Sequence, residues 1–429
     1  MAQVISTLRS ISPLLTASAF LLLGVGMLNT TVGVRLSAAG FGAGTAGFVM
    51  GAYFFGLVLG TFYANKTIAR IGHIRAYAAL ASVLSAATLT HPFLVSPWLW
   101  GGLRLIEGMC LAGLYMCIES WLNERASDEN RGEVLSYYQI TTYLSLGVGQ
   151  FLITIPDPTS FGLFVITSIL LSLTLVPVAM TRMIAPTPPE PVQLNFGRIY
   201  RRSPLGMIGT FMSGVMLGGF YALGPHYTRE LGLDIGDTAT FMGVAILGGL
   251  VLQWPLGKLS DLINRRIVIL SVAGGGVAIS LIVAAASSGT FAGLLVAVML
   301  FGGLVAALYP LAVSHANDRI EPQDLVPMSA GLLIAYGVGA AVGPIGASAF
   351  MEVYGANGLF YFAASAAGAT VAFAFWRTMQ RAAPTVEDQG DFQILPRTTP
   401  MAAEMDPRGE ESEAGEESDL IAADPETAA

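Results

Sequence analysis

The sequence predicts an all-α membrane protein, with twelve transmembrane helices in two pseudo-symmetric six-helix bundles, on three observations. Of its 429 residues 54% are hydrophobic and 12% charged, with a mean hydropathy of +0.64; an ordinary soluble domain carries roughly 25% charged residues. Apolar runs of about 20 residues, enough to cross a hydrocarbon core about 30 Å thick, recur from Pro13 to Arg377 with short polar connections. An offset of 192 superposes the second and eighth runs without gaps, so that Gly44 meets Gly236, Met50-Gly51 meets Met242-Gly243, Gly56 meets Gly248 and Lys66 meets Lys258. Such self-similarity marks a duplicated unit.

In chain order, spans near 12–35, 42–65, 75–92, 97–121, 133–154 and 160–181 make an N-terminal bundle, residues 1–181. Spans near 204–227, 237–258, 265–287, 290–314, 326–350 and 356–378 make a C-terminal bundle, 204–382. Residues 182–203 join them as a linker, with Pro186, Pro188, Pro189 and Pro191 followed by Arg198, Arg201 and Arg202. Shifts of one or two residues extend the repeat to Tyr115 with Tyr309, Ser120 with Ser314, Asn123 with Asn317, Tyr143 with Tyr336 and Gly149 with Gly343. The first run follows Arg9 and could imitate a signal peptide cleaved at Ser37-Ala38-Ala39-Gly40; eleven further spans favour a membrane helix.

Lys and Arg accumulate in cytoplasmic loops. In a twelve-span arrangement only Arg35 and Arg229 fall on one side, and the other loop cations all fall opposite. Both termini are therefore expected in the cytoplasm, with the chain multi-pass in a bacterial inner membrane. The formal charge of −8 resides in residues 383–429, where thirteen acids against Arg397 and Arg408 give −11 and leave +3 for the rest. A segment so acidic is expected to stay disordered outside the fold.

The fourth span carries the candidate chemistry. Arg104, Glu107 and Glu119 lie in a run otherwise apolar enough for a bilayer, where each ionised group costs roughly 2.5 to 3.5 kcal/mol. At about 100° per residue they share one stripe with Gly108, Leu111 and Tyr115, about 120° wide, which must face protein or water. Arg104 and Glu107, three apart, can pair. Glu119 lies about 22 Å further along and cannot join them. One reading makes the pair a buried brace and Glu119 an interfacial acid. The other makes Glu119, with Glu107 as a second candidate, a carboxylate that loads and releases a proton, with Arg104 holding an anionic group.

Cys110 and Cys117, seven residues apart on one helix, are about 10 Å apart along its axis and too far for a disulfide. The chain has no phosphate-binding Gly-Lys-Ser/Thr loop, no metal-ligand spacing, no basic aromatic surface for nucleic acid and no plausible nucleophile–base pair. No cofactor, nucleic-acid partner or enzymatic activity is expected, and any work must draw on a gradient.

Gly257-x-x-x-Asp261-x-x-x-Arg265-Arg266, after the eighth span, resembles the signature loop of the major facilitator superfamily. The equivalent register after the second span has Ala69 in place of the acid, followed by Arg70. Arg104-x-x-Glu107-Gly108 resembles that family's second motif, and Gly339-x-x-x-Gly343-Pro344 its Gly-x-x-x-Gly-Pro element. Ile118-Glu119-Ser120, Asn130-Arg131-Gly132, Gln150, Gln253-Trp254-Pro255 and Tyr309-Pro310 are similar to the YcaD-like bacterial branch. The resemblance covers about residues 10–380.

It implies a monomeric secondary transporter in the lipid bilayer, moving a small organic solute by alternating access, with H+ as the expected coupling ion. It also implies a cavity between the halves, lined by Asn29, Thr30, Arg104, Tyr115, Tyr221, Gln253, Tyr309 and Tyr336, with Tyr138, Gln139 and Gln150 nearby. Gly257, Asp261, Arg265, Arg266, Arg131 and Arg70 would form a cytoplasmic gate, in which Asp261 reaches the start of the fifth span. The rival is a receptor or scaffold acting through the acidic tail.

Overall fold

The computed structural model describes residues 2–127, 130–157, 160–181, 186, 195–318, 320, 324–380 and 389–405. The first half comprises α1 (Ala2–Ala38), α2 (Ala43–Ile71), α3 (His73–Thr90), α4 (Pro97–Arg125), α5 (Arg131–Phe151) and α6 (Gly162–Leu173), which continues as α7 (Leu175–Met180). After the linker helix α8 (Phe196–Arg202) come α9 (Pro204–Glu230), α10 (Ile235–Leu262), α11 (Arg265–Ala286), α12 (Phe291–Asn317), α13 (Leu325–Tyr354) and α14 (Gly358–Gln380). Counting α6 with α7, ten helices among the described residues are long and apolar enough to cross a membrane.

Several helices run past the apolar spans at the linker end: α2 continues six residues beyond the expected 65, to Ile71, and α10 four beyond 258, to Leu262. Hydropathy marks where the bilayer would end, whereas backbone hydrogen bonding continues into polar turns. Local chemistry sets the starts. Asp234 and Asp237 form a capping box on α10, and Asn264, Thr290 and Ser203 cap α11, α12 and α9, each satisfying amides that lack a helical partner. α6 and α7 part near Pro177, which has no N–H for the preceding turn.

The repeat is physical. A Cβ on Gly56 would lie 2.2 Å from Leu105 O, and one on Gly248 2.0 Å from Met299 O. Reciprocally, Gly108 would meet Tyr53 O at 2.1 Å and Gly302 would meet Ala245 O at 2.0 Å. The α2–α4 and α10–α12 crossings therefore touch backbone to backbone at matched positions, which only glycine allows.

The two halves meet unequally. At the end that carries the α1–α2 turn they are in contact: Gly47 packs on Pro344 O and Ser348, and Gly33 on Pro225. Toward the linker end they part around a cavity, and residues 389–405 enter it. The expectation that 383–429 stays outside the fold fails over this stretch. Leu395, Met401, Ala402 and Met405 are buried in the same core as Leu111, Tyr115 and Tyr138. Averaged over the whole tail the charge hides a segment with only Asp391, Glu404 and Arg397 ionisable, and with Phe392, Ile394, Leu395, Met401 and Met405 to bury. Residues 406–429 lie outside the described residues.

Candidate functional site

α4 presents two buried acids in different company. Arg104, Glu107 and Glu119 are all 0% exposed. Arg104 Nη1 donates to Glu107 Oε2 at 2.9 Å, its Nη2 donates to Asn29 Oδ1, and its guanidinium lies 4.1 Å from the centre of the Tyr53 ring. The other Glu107 oxygen faces Thr88 Oγ1 at 3.4 Å and His91 Nδ1 at 3.5 Å. Thus α1, α2, α3 and the turn after α3 fix the pair, as burial of charge requires.

No basic side chain pairs with Glu119 among the described residues. Its carboxylate accepts from Tyr138 Oη at 3.0 Å and from the hydroxyls of Thr398 and Thr399. Two of these three donors come from the tail segment. Arg397, just before them, donates to Tyr143 Oη at 2.5 Å and stands 5.9 Å from the ring centres of both Tyr143 and Tyr336. Among the described residues its Nη1 has no hydrogen-bond partner.

Above Arg397 a cavity of about 170 Å³ remains, lined among others by Asn29, Thr30, Tyr53, Tyr115, Gln139, Gln150, Tyr221 and Tyr336. The structure thus brings Asn29, Thr30, Tyr115, Tyr221 and Tyr336 together around one cavity. Three residues are set back from this wall. Arg104 lies behind Asn29 and Tyr53, because Glu107 holds it. Tyr309 packs edge-on to Tyr336 at 5.1 Å. Gln253 donates to Tyr143 Oη and lines a second cavity, of about 410 Å³, with Gly132, Asp261, Phe392 and Ile394. Thr30 donates to Gln150, whose Nε2 reaches Gly26 O at 3.1 Å, tying α1 to α5.

At the linker end Asp261 Oδ1 accepts from Arg265 Nη2 at 3.0 Å and from the Phe392 amide at 2.9 Å. Arg265 also donates to Asp318, to Gly390 O at 2.7 Å and, through its backbone N–H, to Gln389 Oε1 at 2.7 Å. Among the described residues Asp261 is seen with Arg265 and the Phe392 amide rather than with the start of α5. The tail segment occupies that position, with the Phe392 ring over Gly257, where a Cβ would lie 2.1 Å from it. Arg266 is buried beside this cluster, Arg131 opens α5, and Arg70 is exposed at the end of α2.

The sequence pattern of the Major Facilitator Superfamily matches residues 14–266 and 206–403. The chain belongs to the major facilitator superfamily. It is 29% identical over 364 residues to the MFS-type transporter YcaD of Salmonella typhimurium, covering 83% of this chain and 93% of that protein. Its fold resembles the crystal structure of nucleoside transporter NupG, with a TM-score of 0.73 at 13% identity, covering 86% of this chain and 98% of that one. It likewise resembles a bacterial homologue of the human lysosomal transporter Spinster in an inward-facing, unoccupied conformation, with a TM-score of 0.67 at 12% identity and coverage of 89% and 98%. Membership makes this a multi-pass membrane transporter of small molecules rather than an enzyme.

Within this superfamily chain the reading from sequence missed Tyr53, which carries Arg104, and the whole of Arg397, Thr398 and Thr399. Tyr143 stood out only through its repeat match to Tyr336. The signal for the tail residues was local: 389–405 is the one stretch after 383 with several large apolar side chains and few acids.

Proposed function

We propose that this superfamily member is a secondary active transporter that moves a small organic solute by alternating access and couples it to H+ through Glu119. One observation carries the reading. At the seam between the halves lies a fully buried carboxylate with hydroxyl donors and, among the described residues, no fixed cation, and a lone acid in that setting is an exchangeable proton site. Glu107, in contrast, is held by Arg104, Thr88 and His91 and is assigned the brace.

The more polar α3, of 18 residues, and α5, whose cavity face carries Gln139, Tyr143 and Gln150, complete twelve spans. The distribution of Lys and Arg supports a linker end in the cytoplasm of a bacterial inner membrane, with both termini on that side. On that orientation the halves are closed outward and parted inward, an inward-facing monomer. Rocking of one half against the other then exposes the same site alternately.

The test is transport into proteoliposomes under an imposed pH gradient, screened across metabolites and drugs with a thermal-shift assay to find the solute, since a ligand of the folded state raises its stability. Glu119→Gln is expected to abolish pH-driven movement while solute exchange at equal pH persists. Retained pH-driven uptake in that variant sinks the proposal.

A further inference from the structure

The tail segment does more than cover an opening: it supplies the cavity with the groups a solute would bring. Arg397 places a guanidinium among the rings of Tyr143 and Tyr336, with Tyr221 on the same cavity wall. Thr398 and Thr399 then supply the hydroxyls that satisfy Glu119. A cation in so apolar a place is stabilised by ring faces and a phenol oxygen. The fit is imperfect, because Arg397 Nη1 is buried without a hydrogen-bond partner among the described residues, and a buried unsatisfied donor is destabilising. The segment hangs on Asp261 and Arg265 at the rim by Gln389, Gly390 and Phe392, and on apolar contacts of Leu395, Met401 and Met405 further in. With it in place the free space is about 170 Å³, below the roughly 300–1,000 Å³ of ordinary ligand pockets.

We propose that residues 389–405 are an intramolecular occupant of the solute site, that Arg397 sits where the head of a small organic cation binds, and that solute and tail exclude one another. The inference deepens the transport reading by naming the solute class and the competitor. A tail-bound chain binds solute only in its fraction with the tail withdrawn, so apparent affinity falls by that fraction.

The experiment uses the full chain in nanodiscs, with Ala402→Cys as reporter. Ala402 is 1% exposed and makes no side-chain hydrogen bond, and the native Cys110 and Cys117 are buried. The probes are n-butylguanidinium and its neutral isostere n-butylurea; the readouts are the rate of maleimide labelling at residue 402 and probe affinity by calorimetry. Butylguanidinium is expected to speed labelling and butylurea to leave it unchanged. Arg397→Gln is expected to speed labelling without any probe and to tighten butylguanidinium about tenfold, the gain for a tail bound about nine-tenths of the time. Labelling and affinity that respond to neither Arg397→Gln nor butylguanidinium overturn the proposal, whatever the chain transports. Equal responses to butylurea overturn the assignment of a cation site. Correct responses in a chain that moves no solute in proteoliposomes support the occupant and overturn the transport reading instead.

Discussion

The two acids of α4 are equally buried and are satisfied by opposite means. Glu107 is held by an arginine on its own helix and by Thr88 and His91 of neighbouring elements. Glu119 is held by one tyrosine and by a segment from the far end of the chain. The difference teaches that burial of charge in a membrane helix is no sign of function by itself. A charge whose partners belong to rigid neighbours is part of the frame, and one whose partners can leave is available for exchange.

The largest effect that could break this contrast is the loss of coupling. Glu119→Gln should reduce pH-driven transport to background while thermal unfolding changes little, because the amide keeps an acceptor for Tyr138. Glu107→Gln should do the reverse, keeping a pH response but lowering stability. If both variants lose coupling equally, the division of α4 into brace and carrier is wrong.

The frame itself is tested by Arg104→Gln. Removing one member of a buried ion pair costs about 3 to 5 kcal/mol, since the remaining charge is stranded. Thermal unfolding in detergent should show a large drop, and Arg104→Gln with Glu107→Gln together should recover part of it. An additive double variant would show that the 2.9 Å contact contributes nothing.

A smaller effect sharpens the comparison between the two halves. Gly108→Ala and Gly302→Ala each push a methyl into backbone oxygen, at 2.1 Å and 2.0 Å, and overpacking of this kind typically costs about 1 to 3 kcal/mol. Equal losses of stability would show that the α2–α4 and α10–α12 crossings are energetic as well as geometric equivalents.

Much of the frame was legible because it is written in local terms. Arg104 and Glu107 are three apart and pair as helical spacing allows, and Gly56 and Gly248, which stand at an offset of 192, are among the glycines that let helices touch. The helix positions followed from apolar runs. The partners of Glu119 were not legible, since Thr398 and Thr399 lie 279 and 280 residues away and no periodicity links a coil to a helix face. The superfamily signature was legible at Asp261, but its partner was not: the resemblance pointed to α5, and the structure bonds Asp261 to Phe392. A family motif specifies a reactive group, while the segment that meets it depends on what else the chain brings into reach.

Asp261→Asn gives the smallest expected effect and separates the two remaining roles of that residue. The substitution keeps an oxygen for the Phe392 amide but removes the charge that faces Arg265. Arg265 retains Asp318 and Gly390 O as partners, so the rim should loosen rather than open. Maleimide labelling at Ala402→Cys should rise by less than with Arg397→Gln, because Arg265 and the Phe392 amide both keep hydrogen-bond partners. If Asp261→Asn instead frees the tail more than Arg397→Gln does, the segment is anchored at the rim, and the contacts at Glu119 and the tyrosines are consequences of its docking rather than causes.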